Sequence, residues 1–87
     1  MISEKITILN ETGLHARPAS IFVNTATKFK SNLTIAKGEK QANAKSILSV
    51  LGLGISKGTE VTISADGPDE ELALCTLAEL IQVGINE

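Results

Sequence analysis

The sequence predicts an α+β fold in which a four-stranded antiparallel sheet carries three helices on one face. Three observations predict it. Four short segments alternate apolar and polar residues, three others repeat apolar residues at helical spacing, and the two kinds follow the order β-α-β-β-α-β-α. Alternation of this kind gives a sheet one buried and one wet face, so all of the helices should cover the same face.

The composition is typical of a single globular domain, which we expect to span residues 1–87. Hydrophobic residues make up 43% and charged residues 21% of the chain, values that argue against disorder. One cysteine excludes an internal disulfide, and one cysteine with one histidine cannot build a zinc site, so we expect no metal and no cofactor. No apolar run approaches the roughly 20 residues of a membrane span, and no signal peptide is evident, so we expect a cytoplasmic protein that does not insert into membranes.

Charge is distributed unevenly along the chain. All 8 basic residues lie within residues 1–57, whereas residues 58–87 contain acidic residues and no basic one. The net charge of −2 and the presence of only two aromatic residues, Phe22 and Phe29, disfavour nucleic-acid binding. This asymmetry would allow the basic N-terminal part to bind an acidic partner. It is also explained by a solvated acidic C-terminal helix without a partner, and charge alone favours this second interpretation.

The first elements are a strand and a helix. Alternating isoleucines from Ile2 to Ile8 predict the strand. Apolar residues at helical spacing predict a helix from Ala16 to Phe29, with Pro18 in the first turn, where its missing N–H costs nothing. Lys28 and Lys30 suit the negative end of this helix.

A hairpin and a short helix follow. Alternation on both sides of a glycine turn predicts the hairpin over residues 32–44. Ser46 precedes an apolar cluster at residues 47–51 and is a typical N-cap, so we expect a short helix there. Gly52 and Gly54 should end it.

The chain ends with a strand and an acidic helix. Val61, Ile63 and Ala65 alternate with polar residues, and residues 69–71 place three acids in the first turn of the helix. Its apolar stripe is predicted to contain four residues: Leu74, Leu77, Ala78 and Ile81. Cys75 is interpreted as an inert core thiol, and Gly84 as the stop signal.

His15, the only histidine, directly precedes the predicted helix that begins at Ala16. Unpaired backbone N–H groups at a helix start, here those of Ala16 and Arg17, favour an anion such as phosphate. Arg17 adds a planar donor fork suited to phosphate, and Gly13 lets the backbone approach closely. The positive helix end favours a neutral imidazole, which can attack phosphorus. A phosphoryl carrier and a surface histidine without a role fit these features equally well.

Ser46 has two interpretations as well. As an N-cap it stabilises a helix by about 1 kcal/mol and needs no further role, and the residues alone favour this interpretation. As a phosphorylation site it would place a phosphate on the helix dipole next to Lys45. Leu48 and Leu51 give the short helix more apolar residues than one buried stripe requires, so we expect one or both to be exposed as a small docking patch.

The sequence gives little support for nucleotide binding or for hydrolase chemistry. The glycines at positions 52, 54 and 58 do not match a nucleotide-binding fingerprint. A hydrolase triad built on His15 and Asp66 would need a substrate pocket for which so short a chain offers little room.

Two segments resemble one known family. Gly13–Ala19, of sequence GLHARPA, is similar to the active-site motif of HPr, the histidine-containing phosphocarriers of the bacterial sugar phosphotransferase system. Lys45–Leu48 and Gly52–Gly54 resemble the regulatory serine region of the same family. The resemblance covers the whole chain and implies an open-faced β-sandwich, the architecture that periodicity also predicts.

The resemblance implies a role for each segment. His15 would accept a phosphoryl group on Nδ1 from phosphorylated enzyme I and pass it to sugar-specific IIA domains, while Arg17 stabilises the phosphate. Ser46 would be modified by HPr kinase/phosphorylase, after which the chain acts with the catabolite control protein in catabolite repression. The docking surface would contain four residues: Leu14, Ile47, Leu48 and Leu51. Such a protein is a stoichiometric carrier rather than an enzyme, and we expect a monomer.

The serine region departs from many relatives, because Leu48, Ser49 and Leu51 stand where methionine and glycine are frequent. This should preserve docking but can alter partner choice. The catabolite-repression branch of the family lacks the active histidine, so His15 argues against membership of that branch. A nitrogen-branch carrier is a closer rival, but its serine region usually differs. Two classes therefore stay open: a phosphocarrier, and a regulatory module that acts through Ser46 alone.

Overall fold

The computed structural model describes residues 1–8 and 16–82, which form a four-stranded sheet and three helices. The elements are, in chain order, β1 (Ile2–Thr7), α1 (Ala16–Ala26), β2 (Asn32–Lys37), β3 (Lys40–Asn43), α2 (Ile47–Gly52), β4 (Glu60–Asp66) and α3 (Glu70–Gln82). The order is the predicted β-α-β-β-α-β-α. Within these residues no helix is long and apolar enough to cross a membrane.

The sheet is antiparallel throughout, with the strands in the order β1-β4-β2-β3. Ile6 pairs with Val61 and Ile35 pairs with Ile63, so the apolar residues of neighbouring strands share one face. That face is buried, whereas the intervening residues are exposed or half-buried. The predicted open-faced arrangement is confirmed, and β1 and β3 are its two edge strands.

The core between the sheet and the helices is aliphatic apart from Phe22, which is fully buried in α1. Ile8, directly after β1, and Ile55, between α2 and β4, are also buried. The predicted hairpin forms, and Gly38 in its turn has a φ of +60°, a conformation that favours glycine. Gly54 follows Leu53, the C-cap of α2, and has a φ of +65°, as expected of a glycine that ends a helix.

α1 ends at Ala26 and not, as the sequence predicts, at Phe29. The N–H of Phe29 donates to the Ala26 carbonyl at 3.2 Å, in a tighter turn that follows the helix. The Thr27 hydroxyl contributes to this ending, because it donates to the Asn24 carbonyl (2.8 Å) and so occupies an acceptor of the last turn. The two lysines predicted for the last turn therefore lie beyond the helix.

α3 buries the predicted stripe of Leu74, Leu77, Ala78 and Ile81. Cys75, however, is exposed, so its interpretation as a core thiol is wrong. The reason is helical geometry: one residue is more than a quarter of a turn, which moves Cys75 from the buried stripe to its flank.

The start of α3 also differs by one residue, since the helix begins at Glu70 and Asp69 precedes it. The carboxylate of Glu70 accepts the N–H of Gly67 at 3.2 Å, while the side chain of Asp69 turns away from the helix. The predicted stop at Gly84 lies outside the described residues.

Candidate functional site

The first candidate site is the start of α1. The helix begins at Ala16, as predicted, and Pro18 and Ala19 in its first turn are buried against the core. Leu14 and His15 lie outside the described residues, as does the side chain of Arg17. The structure therefore gives the helix terminus that follows the histidine and the residues that anchor it to the core.

The second candidate site is Ser46, which is the N-cap of α2, as predicted. Its backbone is extended, with φ −116° and ψ 113°, and its Oγ accepts the N–H of Ser49. The distance between Oγ and this nitrogen is 3.4 Å, long for a hydrogen bond, so the cap is weak. The cap uses Oγ as an acceptor and leaves the hydroxyl hydrogen without an acceptor among the described residues.

Lys45 lies beside Ser46 and is held by a specific contact. Its ammonium Nζ donates to the Phe29 carbonyl at 2.7 Å, and its backbone N–H donates to Asn43 Oδ1 at 2.9 Å. The contact with Phe29 ties the start of α2 to the turn that follows α1. An ammonium has three donors, so the bond to Phe29 leaves Nζ of Lys45 with further donors.

α2 presents an apolar surface to solvent. Leu48 is 79% exposed, Ile47 and Leu51 are half-buried, and Val50 is buried in the core. The prediction that one or both of Leu48 and Leu51 form an exposed patch is confirmed for Leu48. We call Ile47, Leu48 and Leu51 the α2 patch.

The two candidate sites lie on neighbouring helices. α1 packs against α2, and α2 also contacts β3, whereas α3 contacts β1, β4 and α1. The start of α1 and the α2 patch therefore belong to helices that are in direct contact. Comparison with known families shows what such a pair of sites means: the model of the PTS HPr component phosphorylation site matches residues 2–83.

The chain belongs to the PTS HPr family.

Relatives in the HPr family are similar over most of their length. The chain is 45% identical over 82 residues to the HPr-like protein Crh of Bacillus subtilis, covering 94% of this chain and 96% of that protein. It is 52% identical over 67 residues to the phosphocarrier protein HPr of Mycoplasma capricolum, covering 77% and 75%. A crystal structure of HPr-C-His from Thermoanaerobacter tengcongensis superposes with a TM-score of 0.92 at 50% identity, covering 94% and 92%. The fold predicted from periodicity is thus that of the HPr family.

The expectation of a monomer is not confirmed. An HPr dimer from Thermoanaerobacter tengcongensis is among the similar structures, with 48% identity and a TM-score of 0.80 over 100% of both chains. The family therefore includes a protein that crystallises as a dimer.

The structure contains a hydrogen-bonded cluster around Asp69 that the sequence did not predict. Asp69, directly before α3, accepts the backbone N–H of Lys30 and that of Ser31, each at 2.9 Å, as well as the Ser31 hydroxyl. We call these three residues the Asp69 clamp. The hydroxyl of Ser31, followed by the backbone N–H of Lys30, lowers the pKa of Asp69. The only sequence signal was an aspartate before a helix, which is more often a simple cap.

Proposed function

We propose that the chain is a phosphocarrier of the phosphoenolpyruvate-dependent sugar phosphotransferase system. In this proposal His15 accepts a phosphoryl group on Nδ1 from phosphorylated enzyme I and passes it to a sugar-specific IIA domain. The observation that carries it is the HPr family match over residues 2–83, which contains the histidine motif. Such partners would place the protein in the cytoplasm, and it would act stoichiometrically without turnover of its own.

The start of α1 supports this chemistry. In the first transfer the bond between phosphorus and enzyme I would break as the bond to Nδ1 of His15 forms, and in the second the bond to Nδ1 would break as phosphorus bonds to the IIA domain. The transferred group is anionic throughout, and the backbone N–H groups of Ala16 and Arg17 lie in the first turn of α1, at its positive end. In the proposal the Arg17 guanidinium follows the phosphoryl group as a two-pronged donor.

The α2 patch is proposed as the surface on which enzyme I and the IIA domains dock, together with Leu14. Leu48, which is 79% exposed, supports this proposal, because burial of a leucine side chain against a partner gains about 1.5–3 kcal/mol. The packing of α2 on α1 brings the patch to the side of the molecule where α1 lies. No nucleic acid is required as a direct partner.

Ser46 is proposed as a regulatory phosphorylation site for HPr kinase/phosphorylase, with the catabolite control protein as the partner of the modified form. A phosphate on Ser46 would lie at the start of α2, next in sequence to the basic residue Lys45. It would also add a charge of about −1.5 to −2 next to Leu48. One modification could thus discourage apolar docking and create a site for a basic partner.

Labelling distinguishes the carrier from its alternative. The chain is incubated with phosphoenolpyruvate, enzyme I and Mg²⁺, and we expect an acid-labile, alkali-stable label on His15. His15→Ala should lose the label completely, because the chain contains a single histidine, and its circular dichroism should be unchanged. Enzyme I-dependent labelling of His15→Ala would contradict the proposal.

A purely regulatory module that acts through Ser46 is the second candidate. The 45% identity to the HPr-like protein Crh over 94% of the chain favours it. This candidate predicts label from ATP and the kinase on Ser46 and none from phosphoenolpyruvate and enzyme I. His15 is the feature that argues for the carrier, since the sequence retains the phosphoryl acceptor.

A further inference from the structure

A groove runs along the sheet edge remote from the α2 patch. β1 is the edge strand on this side, and α3 packs beside it, whereas α2 contacts β3 at the other edge. The groove between β1 and α3 has a volume of about 390 Å³. Its lining is Ile2, Glu4, Glu71, Leu74, Cys75, Ala78 and Glu79.

The free edge of β1 has backbone groups that point away from the sheet. The N–H of Ile8 donates to Thr59 O at 2.9 Å, which continues the pairing of β1 with β4. Because backbone groups alternate in direction along an antiparallel strand, those of Ser3, Lys5 and Thr7 face outward. Among the described residues no strand pairs with this edge. An edge of this kind is a template for an added strand.

The groove beside that edge combines an apolar floor with an acidic rim. Leu74 and Ala78 are buried in the floor, and Ile2 is half-buried. The rim is formed by three exposed glutamates: Glu4, Glu71 and Glu79. None of the three forms an ion pair with a described residue.

The cations near the groove do not neutralise the rim. Lys5 of β1 alternates with Glu4 and so lies on the opposite face of the strand. The N-terminal ammonium of Met1 lies 3.7 Å from Asp66 Oδ1 and 3.4 Å from Glu70 Oε2, at the end of the groove. All basic residues of the chain precede residue 58, so α3 supplies only acids. The groove therefore favours a positively charged occupant.

We propose that this groove binds an extended basic segment of another protein, which adds to β1 as a fifth strand. Alternate side chains of such a strand point to the same face, so an apolar residue would enter the floor and basic residues two positions before and after it would meet the rim. Addition of a strand between an edge strand and a helix is an established mode of peptide recognition, in which backbone bonds give affinity and the groove gives specificity. The site goes beyond the proposed function, because it lies away from α2.

A second copy of the chain fits the groove less well. Antiparallel pairing of β1 with the β1 of another copy would bring acidic Glu4 side chains of both copies to one face. The other edge strand, β3, carries only Ala42 as a buried apolar residue, which is too small to fill the floor. A different protein with apolar and basic side chains can contact both the apolar floor and the acidic rim.

The test uses the intact ¹⁵N-labelled chain and an end-blocked peptide of sequence Thr-Arg-Thr-Leu-Thr-Arg-Thr. We expect saturable changes in the amide shifts of Ser3, Lys5 and Thr7, with little change at Leu48. The single thiol, Cys75, gives an independent readout, because a bound peptide should slow its reaction with an uncharged thiol reagent at least several-fold. No shift of the β1 amides at about 2 mM peptide, a concentration that detects even weak binding, overturns the proposal.

Matched variants test the rim and the strand pairing. Glu71→Gln and Glu79→Gln should each weaken binding about two- to five-fold, the range of one exposed ion pair. Glu39→Gln removes the same charge from the β2–β3 turn, at the other edge, and should leave binding unchanged. A peptide with alternate N-methylated amides should bind at least about tenfold more weakly, because it cannot complete the ladder. Equal binding of this peptide overturns the added strand, and β1 shifts that depend on protein concentration without peptide would assign the groove to a second copy instead.

Discussion

Two serines in this chain, Ser31 and Ser46, each follow a lysine and directly precede a new element, β2 and α2 respectively, but their surroundings differ. Ser31 is 1% exposed, and both its hydroxyl and its N–H donate to the carboxylate of Asp69. Ser46 is half-buried, and its hydroxyl oxygen accepts one long bond from the Ser49 N–H at 3.4 Å. The first hydroxyl is a structural donor, whereas the second is a weak acceptor at a helix start.

The difference predicts which of the two serines tolerates phosphorylation. Phosphorylation replaces the hydroxyl hydrogen, so it would destroy the donor of Ser31 and force a dianion against Asp69. At Ser46 the modified oxygen is at a helix start, where negative charge is favoured. The contrast predicts that substitutions around Ser31 lower the free energy of unfolding, whereas substitutions at Ser46 change the binding of partners.

The largest loss of stability should come from Gly67→Ala, which disturbs Ser31. A Cβ at position 67 would lie 2.6 Å from Ser31 Cα, closer than any unstrained contact, so the backbone must shift and the Asp69 clamp must open. We expect the free energy of unfolding to fall by about 1–3 kcal/mol, as for other overpacked sites. Urea denaturation measures this loss.

Gly52→Ala is the matched control for Gly67→Ala. A Cβ at position 52 meets no atom within 4 Å, and the residue ends α2 without a positive φ. The free energy of unfolding of Gly52→Ala should be unchanged or slightly raised, since alanine is a better helix former than glycine. Equal destabilisation by the two changes would show that the contact with Ser31 is unimportant.

Ser31→Ala should rank next and gives the direct comparison with Ser46→Ala. Removal of the Ser31 hydroxyl deprives a carboxylate of one of its donors inside the Asp69 clamp, while removal of the Ser46 hydroxyl loses one long cap bond. We expect Ser46→Ala to lose about 0.5–1 kcal/mol and Ser31→Ala about twice as much. The reverse order, measured by thermal unfolding, would contradict the assignment of a structural role to Ser31.

The Asp69 clamp should also make stability depend on pH. Hydrogen bonds from the Ser31 hydroxyl and the Lys30 N–H keep the pKa of Asp69 lower in the folded chain than the value of about 3.9 in the unfolded chain. The stabilisation is therefore complete above the unfolded value and is lost as the pH falls through the folded one. From about pH 5 to pH 3 the wild type should lose unfolding free energy more steeply than Asp69→Asn. Parallel curves would show that the clamp does not depend on the charge.

Periodicity predicted the helices, the strands and their buried faces because the pattern that specifies each element is local in the sequence. The helical spacing in α3 identified Leu74 and Ile81 as buried, and the serine before α2 identified the cap. The Asp69 clamp could not be predicted, since it joins residues 38 positions apart and depends on how two loops meet. The prediction that Cys75 is buried was wrong because it relied on the hydrophobic neighbours in the sequence. Its exposure depends instead on its position around the helix axis.

The candidate site was predicted from a different kind of information. The chemistry of His15 and Arg17 came from residue type, from position before a helix and from a resemblance to the HPr family, which the family match then showed. The roles of the two residues remain predictions. The exposure of Leu48 was predicted from an excess of apolar residues in a short helix, and the structure confirms it.

The smallest effect on folding should come from Ser46→Asp, which places the charge of the proposed modification at the start of α2. Aspartate is as good an N-cap as serine and its charge suits the helix dipole, so the free energy of unfolding should change by no more than about 0.5 kcal/mol. The new carboxylate lies beside the α2 patch, where Leu48 is exposed. A partner that covers the patch must bury this charge, which costs on the order of a few kcal/mol when it is unpaired.

The cost of burying the new carboxylate exceeds the expected change in unfolding free energy. Ser46→Asp is therefore predicted to weaken partner binding and to leave the fold intact. Phosphoryl transfer from enzyme I should show a raised KM for Ser46→Asp, while Ser46→Ala loses some stability and keeps its KM. Ser31→Asp is the counterpart in the other region, and it should unfold the chain more readily because it sets two carboxylates against each other. An unchanged KM for Ser46→Asp would mean that enzyme I does not cover the α2 patch, and the contrast between the two serines would then concern stability alone.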